Sequence, residues 1–336
     1  MYKISVIIST WRRPNILDEV LAALSKQTLP FEHWEAIVID SNSGDATRDV
    51  VSKYSTFPNF NLRIVDAETN AVTTKRNTGI KLSQGKFIVF LDDDCIPETD
   101  HLEIFLTTAE PFSGKRIAWC GGVKFPSILV KQSNYYRYRN NCHFSKEKPF
   151  TTELHFTNIV TMNLLIEKKL LLEDGMRFNE DYIGYGFEDI QFGIDLMSRG
   201  YSLKPCSADI VHQELGGNIK KFMIKMYHAG RDGMPVFKSI SLKHVDEIGQ
   251  TKWLEPQDSN ESGMHNLYRK TIHFVLDSNL AKIIARILLR FDNKKLFYSN
   301  TAYRFVLAGA YRDGVRARSQ TRIMSAERAN KDGWYT

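Results

Sequence analysis

The four cysteines (Cys95, Cys120, Cys142 and Cys206) include no CxxC pair, so zinc-ribbon and dithiol redox motifs are absent. Scattered free thiols suit a reducing cytoplasm. No apolar run approaches the roughly 20 residues needed to cross a bilayer. No charged-then-apolar leader precedes the first strand-like segment, which starts almost at Met1. The expected location is therefore the cytoplasm. No internal repeat is found, which sets repeat architectures aside.

What is present is the composition of an ordinary globular protein, with 336 residues, 43% hydrophobic and 25% charged. That length holds one large core or two domains. The net charge of +6 is unevenly spread: residues 216–336 carry 21 Lys+Arg against 11 Asp+Glu, or +10, leaving −4 on the rest. A basic tail on a mildly acidic body points to an anionic surface or substrate, or simply to a solvated helical face. Nucleic acid is not an expected partner.

The chain is organised around residues 86–97. An apolar, β-branched and aromatic run (Phe87, Ile88, Val89, Phe90, Leu91) leads straight into Asp92, Asp93 and Asp94, and Pro97 stops it. Apolar on both faces, the run reads as a buried strand. In an extended segment Asp92 and Asp94 point the same way. Converging carboxylates repel unless a cation lies between them, and oxygen ligands suit Mg²⁺ or Mn²⁺. A solvated acidic turn is the alternative for three acids taken alone.

Around this strand the pattern alternates. Strands are expected at 3–9, 35–40 and 62–65, with helices at 15–25, from about 46 (capped by Asp45) and at 73–82. Such alternation predicts an α/β fold with a doubly wound, mostly parallel sheet. Its carboxyl edge would collect Thr10, Arg12, Asp40 and the Asp92–Asp94 acids, where ligands of open α/β sheets bind. Further on, residues 117–123 read as a strand with a bulge at Gly121-Gly122, and 127–150 as a long loop. Residues 161–166 and 207–212 read as strands. A helix is expected to open at Glu188-Asp189, with Ile190, Ile194 and Met197 on its apolar face and Gly200 at its end. Acids in a first helical turn are also what the helix dipole favours.

The last third reads as mainly helical. Helices are expected at 219–228 and 266–274, with a loop at 239–265. Leu280, Ile283, Ile284, Ile287, Leu288 and Phe291 follow helical spacing, with Lys282, Arg286 and Arg290 opposite. Such a helix lies in a membrane interface or packs on a core with a wet basic side. The Arg-rich end (Arg312, Arg316, Arg318, Arg322 and Arg328) is expected to be partly disordered.

In order along the chain, these motifs resemble the GT-A glycosyltransferases of family 2, over residues 3–214. The resemblance rests on Ser5-Val6-Ile7-Ile8-Ser9-Thr10-Trp11-Arg12-Arg13, on Val38-Ile39-Asp40, on Lys75-Arg76-Asn77-Thr78-Gly79, on Leu91-Asp92-Asp93-Asp94, on Gly184-Tyr185-Gly186-Phe187-Glu188-Asp189, and on His212. Two positions depart from the family pattern: Trp11 stands for the more usual Tyr, and Arg12-Arg13 for Asn-Arg. The resemblance implies a donor site of Thr10, Arg12, Asp40, Arg76, Asp92 and Asp93. It implies a Mn²⁺ or Mg²⁺ site of Asp94, Asp92 and His212, with Asp189 as the base and Glu188 on acceptor hydroxyls. It also implies a catalytic domain at 1–215, divided into a nucleotide-sugar half (1–97) and an acceptor half (98–215), ahead of a basic, mainly helical region at 216–336. The reaction implied is inverting hexosyl or N-acetylhexosaminyl transfer from a nucleotide-sugar donor, UDP being the expected carrier. The acceptor implied is a glycan or lipid-linked glycan of surface polysaccharide synthesis, at the inner face of the cell membrane. A nucleotidyltransferase would want a glycine-rich phosphate loop, and residues 9–14 contain no glycine. A non-catalytic sugar-binding protein would have no use for Asp94, Asp189 and His212 together.

Overall fold

The computed structural model describes residues 2–149, 153–214, 216–249, 251–255, 267, 270–272, 274–276 and 280–318. The parallel half of the sheet forms as the alternation predicts. β1 (Ile4–Ser9), β2 (Trp34–Asp40), β3 (Asn61–Asp66) and β4 (Phe87–Asp92) are linked by α1 (Pro14–Leu24), α2 (Thr47–Ser55) and α3 (Val72–Leu82). The N-cap of α2 is Ala46 and not the expected Asp45, though Asp45, one residue earlier, accepts through Oδ1 from Thr47 N at 2.9 Å. Helices cover both faces, so β1 and β2 are buried along their whole length.

Beyond β4 the sheet becomes mixed. After β5 (Cys95–Pro97) and α4 (His101–Ala109) come β6 (Ile117–Lys124), α5 (Ser127–Gln132), α6 (Asn134–Asn141), β7 (Asn163–Glu167), α7 (Lys168–Glu173), α8 (Glu188–Ser198) and β8 (Ser202–His212). The order across the sheet is β3-β2-β1-β4-β7-β6-β8-β5. β7 runs antiparallel to β4 and β6, and β5 antiparallel to β8. The expected bulge is real: the β6–β8 register shifts between Gly121 and Val123. A Cβ on Gly121 would stand 2.4 Å from the Ala208 carbonyl oxygen, which explains the glycine.

Several local readings are corrected. Residues 127–141, expected as loop, form α5 and α6. Their helicity comes from tertiary burial of Tyr135, Tyr136 and Tyr138 and from the Ser133 cap, neither of which periodicity reveals. α8 buries Gln191, Phe192, Gly193, Ile194 and Leu196 and leaves Met197 largely exposed, so its inner face is rotated from the expected one.

In the last third, α9 (Ile219–His228) is followed by a π turn (Ala229–Gly233), α10 (Met234–Ser241), a 3₁₀ segment (Leu242–Glu247) and α11 (Thr251–Leu254). The loop expected at 239–265 is therefore mostly helical where it is described, with a turn at Ile248-Gly249. Residues 267, 270–272 and 274–276 are helical. Next come α12 (Leu280–Arg290) and α13 (Asn300–Ala317), and α13 places Arg312 and Arg316 in an ordered helix. Arg322 and Arg328 lie outside the described residues. Both faces of the sheet share their apolar cores with this region. Tyr303, Val306 and Leu307 join one core, and Met234, Phe237 and Tyr311 join the other.

Candidate active site

The β1–α1 loop, the end of β4 and the start of α8 meet at the carboxyl edge of the parallel half-sheet. Ser9 of β1 lies in register with Asp92 of β4, which sets Thr10 beside the acids. The expected extended run across Asp92–Asp94 does not form. β4 ends at Asp92, and Asp93 and Asp94 make a turn. The turn separates the three carboxylates: Asp92 faces Arg76, while Asp93 and Asp94 share Arg13.

Asp93 is fully buried and accepts from Thr10 Oγ1 (2.7 Å) and Arg13 Nη1 (2.7 Å). Burial pushes its pKa up, and Arg13 pulls it back. Asp94 takes Arg13 Nη2 at 2.9 Å and lies 3.4 Å from His212 Nε2. Burial alone would raise the Asp94 pKa, yet His212 and Arg13 outweigh it and hold the group well below the usual carboxylate range. His212 reaches Asp94 because β5 pairs with β8 in the register Cys95↔His212, secured by Gln213 N donating to the Asp94 carbonyl (2.7 Å).

Among the described residues, Asp94, Cys95 and His212 bring ligand atoms within 4.8 Å of one another. A carboxylate and an imidazole fit a small divalent cation of the Mn²⁺ or Mg²⁺ type. Burial drives the Cys95 thiol well above its usual range, and its soft sulfur suits Mn²⁺ or Mg²⁺ less well than the Asp94 carboxylate does. Asp92 lies outside this trio. Its Oδ1 accepts from Arg76 Nη2 at 3.1 Å.

Arg76 projects from α3 and is buried to 4% exposure. Its second nitrogen donates to Asp189 Oδ1 at 3.1 Å, and its guanidinium stacks 5.3 Å from the Phe178 ring. Burial opposes its charge, but Asp92, Asp189 and Glu188 outweigh that and raise its pKa further. Asp189 also accepts from the Thr161 hydroxyl and from Thr161 N (3.2 Å), so its carboxylate is held from two sides. Glu188 differs. Its Oε2 is buried with no hydrogen-bond partner, and burial together with Asp189 raises its pKa.

The remaining donor-side residues divide by depth. Asp40 is 1% exposed and gives both oxygens to Ser43, whose hydroxyl in turn accepts from Arg12 N at 2.8 Å. Asp40 thus shapes the loop on which Arg12, exposed and at φ 53°, is displayed. Arg13 and Lys75, which stand in the sequence motifs without an expected site role, also belong here, as does Thr161, which stands in none. Lys75 Nζ donates to the Thr10 carbonyl (2.7 Å) and Asn70 Oδ1 (2.8 Å), and burial lowers its pKa to about 8 against the pull of Asp93 and Asp40. Arg13 and Lys75 stand inside the first-loop and Lys75–Gly79 motifs, the sequence signal for their place in the site. Thr161 offered none.

Phe187 caps α8 in the left-handed region, φ 75° and ψ −11°, right after Gly186 at φ 98°. For a bulky residue this costs on the order of 1–3 kcal/mol and persists only where the surroundings enforce it.

A mixed, mostly parallel sheet carrying these acids at its edge defines a GT-A glycosyltransferase. The chain belongs to glycosyl transferase family 2, whose description matches residues 5–172. It is similar to the glycosyltransferase AglE of Haloferax volcanii, 33% identical over 72% of this chain and 77% of that one. It is also similar to a dolichyl N-acetyl-α-D-glucosaminyl phosphate 3-β-D-2,3-diacetamido-2,3-dideoxy-β-D-glucuronosyltransferase of Methanococcus voltae, 24% identical over 66% and 69% of the two chains. Among solved structures, the mannosyltransferase PcManGT of Pyrobaculum calidifontis, in complex with GDP-Man and Mn²⁺, shares the fold. Its TM-score is 0.58 at 18% identity, covering 93% of this chain and 88% of that one.

Arg76→Met keeps the stem over Phe178 but leaves Asp92 and Asp189 facing each other without their shared cation. Breaking a buried pair costs roughly 3–5 kcal/mol, and the low end is expected here because both acids keep some solvent. Urea unfolding of the variant measures the loss.

Proposed function

We propose that the protein transfers a sugar from a nucleoside diphosphate donor, a UDP-sugar, to a hydroxyl of a glycan or lipid-linked acceptor in surface polysaccharide synthesis, with inversion. The observation that carries this is the Arg76 bridge: one buried cation ties Asp92 at the end of β4 to Asp189 at the start of α8. A donor lying over the first acid would therefore present its anomeric carbon toward the second. Asp94 and His212, with Asp92 nearby, are the residues to hold Mn²⁺ or Mg²⁺. When bound, such an ion supplies positive charge for the departing diphosphate. The names of the relatives, one of them acting on a dolichyl phosphate-linked sugar, support the lipid-linked class of acceptor.

In this reading Asp189 accepts the proton of the attacking hydroxyl. Arg76 and Thr161 aim its carboxylate, and a proton moves to it late in the transition state. Glu188, beside it with one oxygen unpartnered, meets acceptor hydroxyls. A single displacement needs no second carboxylate as nucleophile.

The membrane side of this proposal rests on α12. Among the described residues no helix is long and apolar enough to cross a membrane. α12 packs inward through Ala281, Ala285 and Leu288, while Leu280, Ile283 and Ile287 are exposed at 43%, 48% and 41%. Its sequence holds Lys282, Arg286 and Arg290 and no acid. Apolar side chains interleaved with bases fit the surface of an anionic bilayer, and a lipid-linked acceptor is concentrated there.

Three outcomes are expected. UDP is expected to stabilise the native protein against heat in Mn²⁺, and Asp94→Asn should lose that stabilisation. Unchanged UDP affinity by calorimetry would remove the metal assignment. Asp189→Asn should lower kcat by roughly 100-fold or more with donor affinity little changed; turnover within a few-fold of native would shift the base to Glu188. The protein should co-sediment with anionic liposomes at low salt, less so at high salt, and less still when Lys282, Arg286 and Arg290 become Glu. A protein that stays in the supernatant at low salt would show α12 to be a solvated packing helix.

A further inference from the structure

The first turn of α8 carries Glu188 and Asp189, yet its left-handed cap is held from the far end of the chain. The π turn Ala229–Gly233 presses on the loop before the helix. A Cβ on Gly233 would stand 2.5 Å from the Gly186 carbonyl oxygen and 2.8 Å from that of Tyr185. A Cβ on Gly184 would stand 2.7 Å from Asp232 Cβ. The Phe187 ring lies 5.5 Å from the Phe237 ring of α10 and 6.4 Å from the Tyr311 ring of α13.

The π turn is itself clamped by α13. A Cβ on Gly230 would lie 2.3 Å from the Tyr311 carbonyl oxygen, and one on Gly314 would lie 2.0 Å from that of Tyr227. Arg318 Nε donates to the Gly230 carbonyl at 2.7 Å, while its other nitrogens pair with Glu255 at 2.7 and 2.8 Å. Tyr311 Oη donates to the same carboxylate at 2.6 Å. Glu255 is 1% exposed, so this carboxylate is enclosed by its partners. Side chains and backbone thus run in contact from α13, through the π turn, to the two acids. π turns inside helices recur at functional sites, and strained caps persist where the surroundings over-determine them.

We propose that Phe187 and Gly233 are positioning residues for transfer: through them the C-terminal helices set the direction in which Glu188 and Asp189 face the acceptor. This rests on the assignment of Asp189 as base. The donor edge, built by β1, β4 and α3, takes no part in the clamp. Substitutions in the clamp therefore separate turnover from donor binding. Phe187→Gly is the informative variant, because glycine accepts the left-handed conformation without strain while losing the ring contacts.

The test uses the full chain with Mn²⁺, UDP for calorimetry, and for turnover the sugar nucleotide most readily hydrolysed in a donor screen. Phe187→Gly and Gly233→Ala are each expected to lower kcat at least tenfold, with UDP affinity within threefold of native, and Phe187→Tyr is expected to restore turnover. Should Gly233→Ala not fold, Phe237→Leu, which removes a single ring contact, takes its place with the same expectation. Native turnover in the clamp variants alongside an inactive Asp189→Asn overturns the positioning role alone. Loss of UDP affinity in step with kcat overturns it too, since the damage would then be general. Full turnover in Asp189→Asn overturns the assignment on which it rests.

Discussion

One guanidinium holds the two halves of the catalytic region together. Arg76 stands on α3, between the strand that ends in Asp92 and the helix that begins with Glu188 and Asp189. An arginine is suited to this place because it stays charged when buried and offers its donors in a rigid fork, so two carboxylates from distant segments can be fixed at once. α3 can bring it there because Gly79 lets the helix lie close on the sheet: a Cβ at that position would meet Ile7 Cγ2 at 2.3 Å. Remove the cation and the acids repel. Remove the close packing and the cation no longer reaches both.

The same balance governs the neighbouring acids. Asp93 and Asp94 share Arg13, and Asp94 adds His212. Charged groups this deep survive only when each has a partner, since burial otherwise neutralises them. Asp93, fully enclosed and bonded to Thr10, works as a strut between the first loop and the β4 turn. Asp94 is lined up with His212, and His212 and Arg13 hold its carboxyl well below the usual range, as the proposed cation site requires. Three consecutive aspartates therefore serve three ends, set by the turn that separates them.

The C-terminal third is joined to this site through apolar packing and bare backbone contact. Among the described residues of that third, charge lies mostly on outer faces, as the exposed Lys282, Arg286 and Arg290 show. The glycines at 230, 233 and 314 are what allow helix and loop backbones to touch. A region that reads in sequence as a basic appendage thus contributes the wall behind the start of α8, where Glu188 and Asp189 stand.

Much of this was legible in the chain itself. Segments such as 3–9, 35–40 and 86–91 are apolar on both faces, and a strand buried on both sides follows from that composition whatever surrounds it. Their ends and the acids at them were readable for the same local reason. α5 and α6 were not legible, because their tyrosines are buried by contacts with distant segments: Asn134 N donates to the Asp292 carbonyl, and Tyr135 to Glu214. Phe187 carries no sequence mark of its left-handed cap. Arg76 and Asp189 lie 113 residues apart, and Asp94 meets His212 only through the pairing of β5 with β8. Local propensity and pattern decide where strands and helices occur and which acids end them. Which acid meets which base is decided by sheet order and by the need to pair every buried charge, and both belong to the folded chain alone.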